Sequence, residues 1–155
     1  MKSQVTEEYA QIDQLPWAPF PEALSKGGIR WKLLHVGPEM GAWTAYFDCP
    51  AGSSFNAHIH QGPGEYVLTK GRMDVRGGKD NGGDTAVAPG YGYESAGARH
   101  DLTNFPVDSE FYMSFLGPLV FISPDAQPLA VVGWKEVQGA WAAFMESQAQ
   151  VKKAA

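Results

Sequence analysis

Two of the chain's four histidines stand as His58-Ile59-His60 inside the segment FNAHIH. Residues i and i+2 of a strand project from one face, about 6.6 Å apart along the backbone. Two imidazoles on one inward face can converge on a single metal ion, whereas the same pair on a helix would diverge. Taken alone, the pair reads first as a chance pair on a solvated strand face, so its surroundings decide. The single cysteine, Cys49, excludes an intrachain disulfide and any multi-cysteine zinc or iron–sulfur site. It reads as a small buried hydrophobe.

The elements that would carry these residues are mostly strands. The 155 residues suit one domain, and Gly 18 and Pro 11 favour short strands and tight turns over a helical bundle. Residues 1–28 hold Pro16, Pro19, Pro21 and Gly27-Gly28 and read as an irregular arm. Residues 29–133 run as IRWKLLHV, GAWTAYFD, FNAHIH, GEYVLTKG, RMDVRG and DTAVAPG, each bounded by turn residues. FYMSFLGPLVFI and LAVVGW follow as nearly continuous apolar runs, the pattern of strands buried on both faces. Residues 134–153 place Trp134, Val137, Trp141, Phe144 and Met145 on one helical stripe, a packing face. The expected fold is an all-β sandwich or barrel capped by one terminal helix.

The formal net charge of −5, without a basic stretch, argues against nucleic acid or an anionic membrane as partner. The opening MKSQVTEEYAQIDQ lacks the apolar core of a secretory signal. The run from Phe111 to Ile122 is too short to span a bilayer and contains Pro118. We therefore expect a soluble, cytoplasmic protein.

GSSFNAHIHQGPGEYVLTKG resembles the first motif of the cupin superfamily, G-x5-H-x-H-x(3–4)-E-x6-G, with Gly52, His58, His60 and Gly71 in place. The glutamate slot holds Gly64, and Glu65 lies one step later. A one-residue step turns a side chain to the other face, unless a bulge at Gly62-Pro63-Gly64 shifts the register. The second motif, G-x5-P-x-G-x2-H-x3-N, resembles Gly83 to Asn104: Gly83 and Pro89 match, and Glu94 occupies the histidine position. The terminal H-x3-N reappears as His100-Asp-Leu-Thr-Asn104. The resemblance implies a cupin-type double-stranded β-helix, a jelly-roll barrel, with His100 as third ligand beside His58 and His60. His35 has no motif around it and reads as structural.

Three neutral imidazoles leave a divalent ion its full +2 charge, where a two-histidine, one-carboxylate set leaves +1. In a partly dry pocket such a centre favours an anion, for example an enolate chelating through two oxygens with dioxygen or water beside it. Zinc on three histidines would instead keep one water for hydrolysis or isomerisation. Ligand type does not choose between iron and zinc, and nickel also suits imidazole. Glu94 and Thr103 are candidates to orient the ligand N–H groups. Tyr66 and Arg76 are candidates to reach substrate or water, and Phe55, Phe111 and Phe115 to form an apolar wall, although core packing explains the last three nearly as well.

From His58 to Leu119, above all in GGDTAVAPGYGYESA and SEFYMSFLGPL, the chain resembles the acetylacetone-cleaving cupins, a family of β-diketone dioxygenases. That likeness implies a non-haem Fe(II) enzyme that breaks a C–C bond of a β-diketone with O2, acetylacetone giving acetate and methylglyoxal. It implies metal ligands His58, His60 and His100, polar partners Tyr66, Arg76, Glu94 and Thr103, and a pocket of Phe55, Phe111 and Phe115. It also implies a homotetramer, and it places Glu7 in a stretch associated with pocket access. Another enolisable substrate, a zinc or nickel hydrolase or isomerase, and a non-catalytic metal-cupin sensor module stay open at this point, because one fold hosts many functions.

Overall fold

Alternation between buried and exposed side chains builds the barrel strand by strand. The computed structural model describes residues 9–154. In Ala42–Cys49 every second side chain, Trp43, Ala45, Phe47 and Cys49, is buried, and Ser109–Leu116 beside it buries Phe111, Met113 and Phe115. Fifteen strands among the described residues form three antiparallel sheets. The largest runs β1 (Ala18–Pro19), β3 (Arg30–Gly37), β4 (Ala42–Cys49), β13 (Ser109–Leu116), β7 (Gly64–Lys70), β10 (Gly90–Glu94). A second runs β11 (Arg99–His100), β6 (His58–His60), β14 (Leu119–Ile122), β15 (Pro128–Val132). The third runs β2 (Ser25–Lys26), β5 (Ser53–Phe55), β12 (Thr103–Phe105), β8 (Arg72–Val75), β9 (Asp84–Val87). The inner faces of these sheets share one aromatic-rich core, which is the jelly-roll barrel the sequence leads one to expect.

The run Phe111–Ile122 is not buried on both faces. Gly117 and Pro118 split it into β13 and β14, and β13 exposes Ser114 and Leu116 on the outside of the sheet. There Tyr112 stacks on Tyr46 with ring centroids 4.1 Å apart, so this aromatic serves the outer face. β15 likewise exposes Leu129 and Val131.

The arm is better ordered than its prolines suggest. β1 pairs with β3 and β2 with β5, and a short 3-10 turn at Ile12–Gln14 precedes them. Lys32, buried on β3, donates to the Ile12 carbonyl at 2.8 Å and sits 4.3 Å from the centroid of the Trp17 ring. This cation–π contact and the hydrogen bond tie the arm to the outer sheet face. Glu7 lies outside the described residues.

Helix α1 (Trp134–Ala154) lays its stripe on β3, β4 and β15. Val137 and Trp141 are buried, and Trp141 meets Trp31 edge-on at 5.7 Å. Among the described residues no helix is long and apolar enough to cross a membrane. We predict that Trp141→Ala costs about 3–5 kcal/mol by loss of buried aromatic area and the cavity left behind. Urea unfolding followed by tryptophan fluorescence measures it, and a cost under about 1 kcal/mol would mean that α1 is not part of the core.

Candidate metal centre

Strand geometry brings the three histidines together. His58 and His60 lie two residues apart on β6 and point inward while Ile59 between them does not. His100 on β11 is the direct cross-strand partner of His58. All three are at least 95% buried, at 5%, 1% and 3% exposure. One ring nitrogen from each lies within 4.8 Å of the others, the span of atoms that can share an ion. His35, by contrast, is exposed on β3.

The tautomer of His58 follows from its neighbour. Its Nδ1 stands 2.8 Å from the carbonyl oxygen of Asn56, which can only accept, so Nδ1 carries the proton and Nε2 keeps a bare lone pair. Burial pushes the His58 pKa down to about 4, the nearby His100 and His60 adding to it against the Asn56 hydrogen bond. His100 is also lowered, chiefly by burial. Both rings are therefore neutral near pH 7, the form that binds metals. His60 Nδ1 is buried with no protein partner. Three converging buried imidazoles, one of them with an orphaned nitrogen, fit a divalent transition metal.

The carboxylate slot is filled in an unexpected way. Gly64 faces inward, where a Cβ would stand 2.6 Å from Met113 Cε and 3.6 Å from His60 Nδ1. Glu65 points to solvent beside Tyr91, as alternation requires, so no bulge brings it inward. Glu94 pairs directly with Gly64 across the β7–β10 ladder and brings its carboxylate to the histidines from the neighbouring strand. Its Oε2 is 3.0 Å from His60 Nε2 and its Oε1 3.6 Å from His100 Nε2. Burial alone would raise this carboxyl, but the His60 hydrogen bond and the electrostatic pull of the neighbouring rings outweigh it and hold Glu94 below the usual range.

Around the rings the wall is apolar. Phe55, Phe111 and Phe115 line an apolar cavity of about 30 Å³, and Phe115 stacks on both His60 and Trp43. Thr103 lines the same cavity, its buried hydroxyl without a protein partner; it does not bond a histidine. Arg76 and Tyr66 stand elsewhere: they line a polar cleft of about 390 Å³ on the other side of Glu94 and His100. The Arg76 guanidinium is paired with Asp84, a surface carboxylate, and does not enter the apolar cavity. Trp43, Phe47, Met113 and Phe121 also face the rings and went unremarked in the sequence. The period-two alternation of β4, β13 and β14 carries their signal. Phe20, from the arm, has no such signal.

A model of the ChrR cupin-like domain matches residues 5–120. The chain is 60% identical over 142 residues to the acetylacetone-cleaving enzyme of Acinetobacter johnsonii, covering 92% of this chain and 93% of that one. The solved structure of an acetylacetone dioxygenase from Acinetobacter johnsonii matches with a TM-score of 0.86 at 59% identity, over 92% of this chain and 96% of that chain. A structure from Methylibium petroleiphilum, provisionally named an acetylacetone dioxygenase, gives a TM-score of 0.86 at 74% identity over 92% and 99%.

The buried neutral rings make the metal-free protein acid-sensitive. His58 ionises near 6.5 when unfolded and near 4 when folded, so the unfolded chain binds the extra proton between those values. Stability is complete above the unfolded value and is lost as pH falls toward 4, by about 3 kcal/mol from this ring. Thermal unfolding of the metal-free protein between pH 7 and 4 measures the slope. His58→Gln removes this part of it, and an equal slope in that variant would contradict the assignment.

Proposed function

The chain belongs to the ChrR cupin-like family and to the family of the acetylacetone-cleaving enzymes, and from that membership we propose that it is a non-haem Fe(II) dioxygenase of β-diketones. Acetylacetone and O2 would give acetate and methylglyoxal, with both oxygen atoms retained in the products. The observation that carries the reading is the set of three buried, converging imidazoles without a carboxylate ligand among the described residues.

His58, His60 and His100 would hold the ion through neutral nitrogens and so leave its charge uncompensated. When bound, iron supplies a Lewis-acidic, redox-active centre for a diketone and O2. A β-diketone has an acidic central C–H, and its planar enolate offers two oxygens to a cationic site. Low polarity around that site strengthens the attraction. Phe55, Phe111 and Phe115 exclude water and accept the alkyl ends of the substrate. Glu94 holds the His60 and His100 rings in place from their Nε2 side. The free Thr103 hydroxyl offers the cavity a hydrogen-bonding group, and Tyr66 and Arg76 shape the polar side of Glu94. The diketone supplies the electrons, so no organic cofactor is called for. The same reading includes a homotetramer and a cytoplasmic location.

The test is anaerobic loading with Fe(II), then an oxygen electrode and product analysis. The expected result is one O2 consumed per acetylacetone with acetate and methylglyoxal in equal amounts. A fully iron-loaded protein that takes up no O2 with any β-diketone would overturn the proposal. Glu94→Gln is expected to lower kcat by about 10- to 100-fold with the fold retained; an unchanged rate would remove Glu94 from any role in orienting the ligands.

A further inference from the structure

The cavity beside the histidines is small for the substrate it is proposed to take. Its volume of about 30 Å³ holds about two water molecules, less than a five-carbon diketone needs. A longer diketone needs still more room than this wall leaves. Most of that wall consists of strand residues whose rings are packed from several sides, but Phe20 comes from the arm.

Phe20 is the one residue among those described that faces both this cavity and a second space, an apolar groove of about 290 Å³ beneath α1. The groove is walled by Leu24, Trp31, Val132, Val137 and Phe144, with Ala140 at its exposed side. The one acid there, Glu136, is engaged: its Oε2 accepts the Gly133 N–H at 2.9 Å. The groove thus offers hydrocarbon walls to an occupant.

The backbone of Phe20 is fixed. Pro19 and Pro21 flank it, and its N–H donates to the Ile29 carbonyl at 2.9 Å. Its ring has no polar tether and rests on edge-on contacts, 5.2 Å from Phe55, 6.0 Å from Phe47 and 6.4 Å from Trp31. Such contacts hold a ring by packing alone, and side-chain rotation about a fixed backbone is the motion left to it.

We infer that Phe20 is a rotating partition that sets the length of the substrate: turned aside, it joins the metal-side cavity to the groove under α1, which receives the unbranched alkyl tail of a longer 2,4-diketone. This inference rests on the proposed diketone chemistry of the three-histidine site. Phe20 is then a specificity-determining residue contributed by a segment outside the barrel.

The test compares acetylacetone with 2,4-nonanedione. In iron-loaded Phe20→Ala the ratio of kcat/KM for nonanedione to that for acetylacetone is expected to rise at least tenfold over the unsubstituted protein, mostly through KM. Adding Ala140→Trp, which fills the groove from the helix side, is expected to return the ratio to its original value. Phe20→Leu serves if the alanine variant does not fold. Anaerobic titration of the nickel-loaded proteins with both diketones, followed by enolate absorbance, reads the same ratio as dissociation constants without turnover. A ratio unchanged within twofold in Phe20→Ala, with turnover intact, overturns the partition and leaves the activity standing. A shifted binding ratio without turnover leaves the partition standing and refutes the dioxygenase reading. Binding of neither diketone overturns both.

Discussion

The pairing of Glu94 with Gly64 across the β7–β10 ladder governs the charge of the whole centre. Had position 64 carried a carboxylate, its side chain would have been aimed beside His60, the position from which an acid completes a ligand set. Glycine leaves that position empty of donors, and Met113 Cε closes on it instead. The acid comes from the directly opposite position on the neighbouring strand. It lies 3.0 Å from His60 Nε2 and 3.6 Å from His100 Nε2, while the group that could share one ion consists of the three histidines. One carboxylate thus stays in the neighbourhood and, in the proposed reading, outside the ligand set.

Burial does the rest. Desolvation disfavours protonated imidazole, so His58 and His100 stay neutral where free histidines begin to charge. Glu94 is buried as well, yet the imidazoles stabilise its charged form. In the proposed reading three ring nitrogens would accept a cation and one anion would steady it from outside. Aromatic walls lower the polarity of the same space and so weaken dielectric screening within it. Polar Arg76 and Tyr66 lie on the far side of Glu94, so the carboxylate stands between an apolar cavity and a polar cleft.

Much of this was legible in the residues because the strand period is two. His-Ile-His could serve one ion only on a strand, and the step from Gly64 to Glu65 already told which way the acid would face. The strands over 30–37 and 42–49 stand within one residue of the turn-bounded runs IRWKLLHV and GAWTAYFD. What escaped was set by long-range pairing. β10, rich in glycine and tyrosine, has no apolar period, yet its register aims Glu94 at the centre. The choice of Arg76 between Asp84 and the interior is a contest of ion pairs that spacing does not rank. Phe20 sits between two prolines in a segment without periodicity, and its burial depends on a two-residue strand pairing with β3. The apolar run from Phe111 misled because tyrosine and leucine also cover the outer face of a sheet.

The central claim is that three imidazoles and no carboxylate hold the ion. Calorimetric titration of Co(II) into metal-free protein tests it, comparing His60→Ala, His100→Ala and Glu94→Ala with the unsubstituted chain. The account predicts one site per chain in the unsubstituted protein and in Glu94→Ala, the latter weaker by no more than about 100-fold, and no measurable site in either histidine variant. Loss of the site in Glu94→Ala, or its survival at full affinity without His60 or His100, would contradict it.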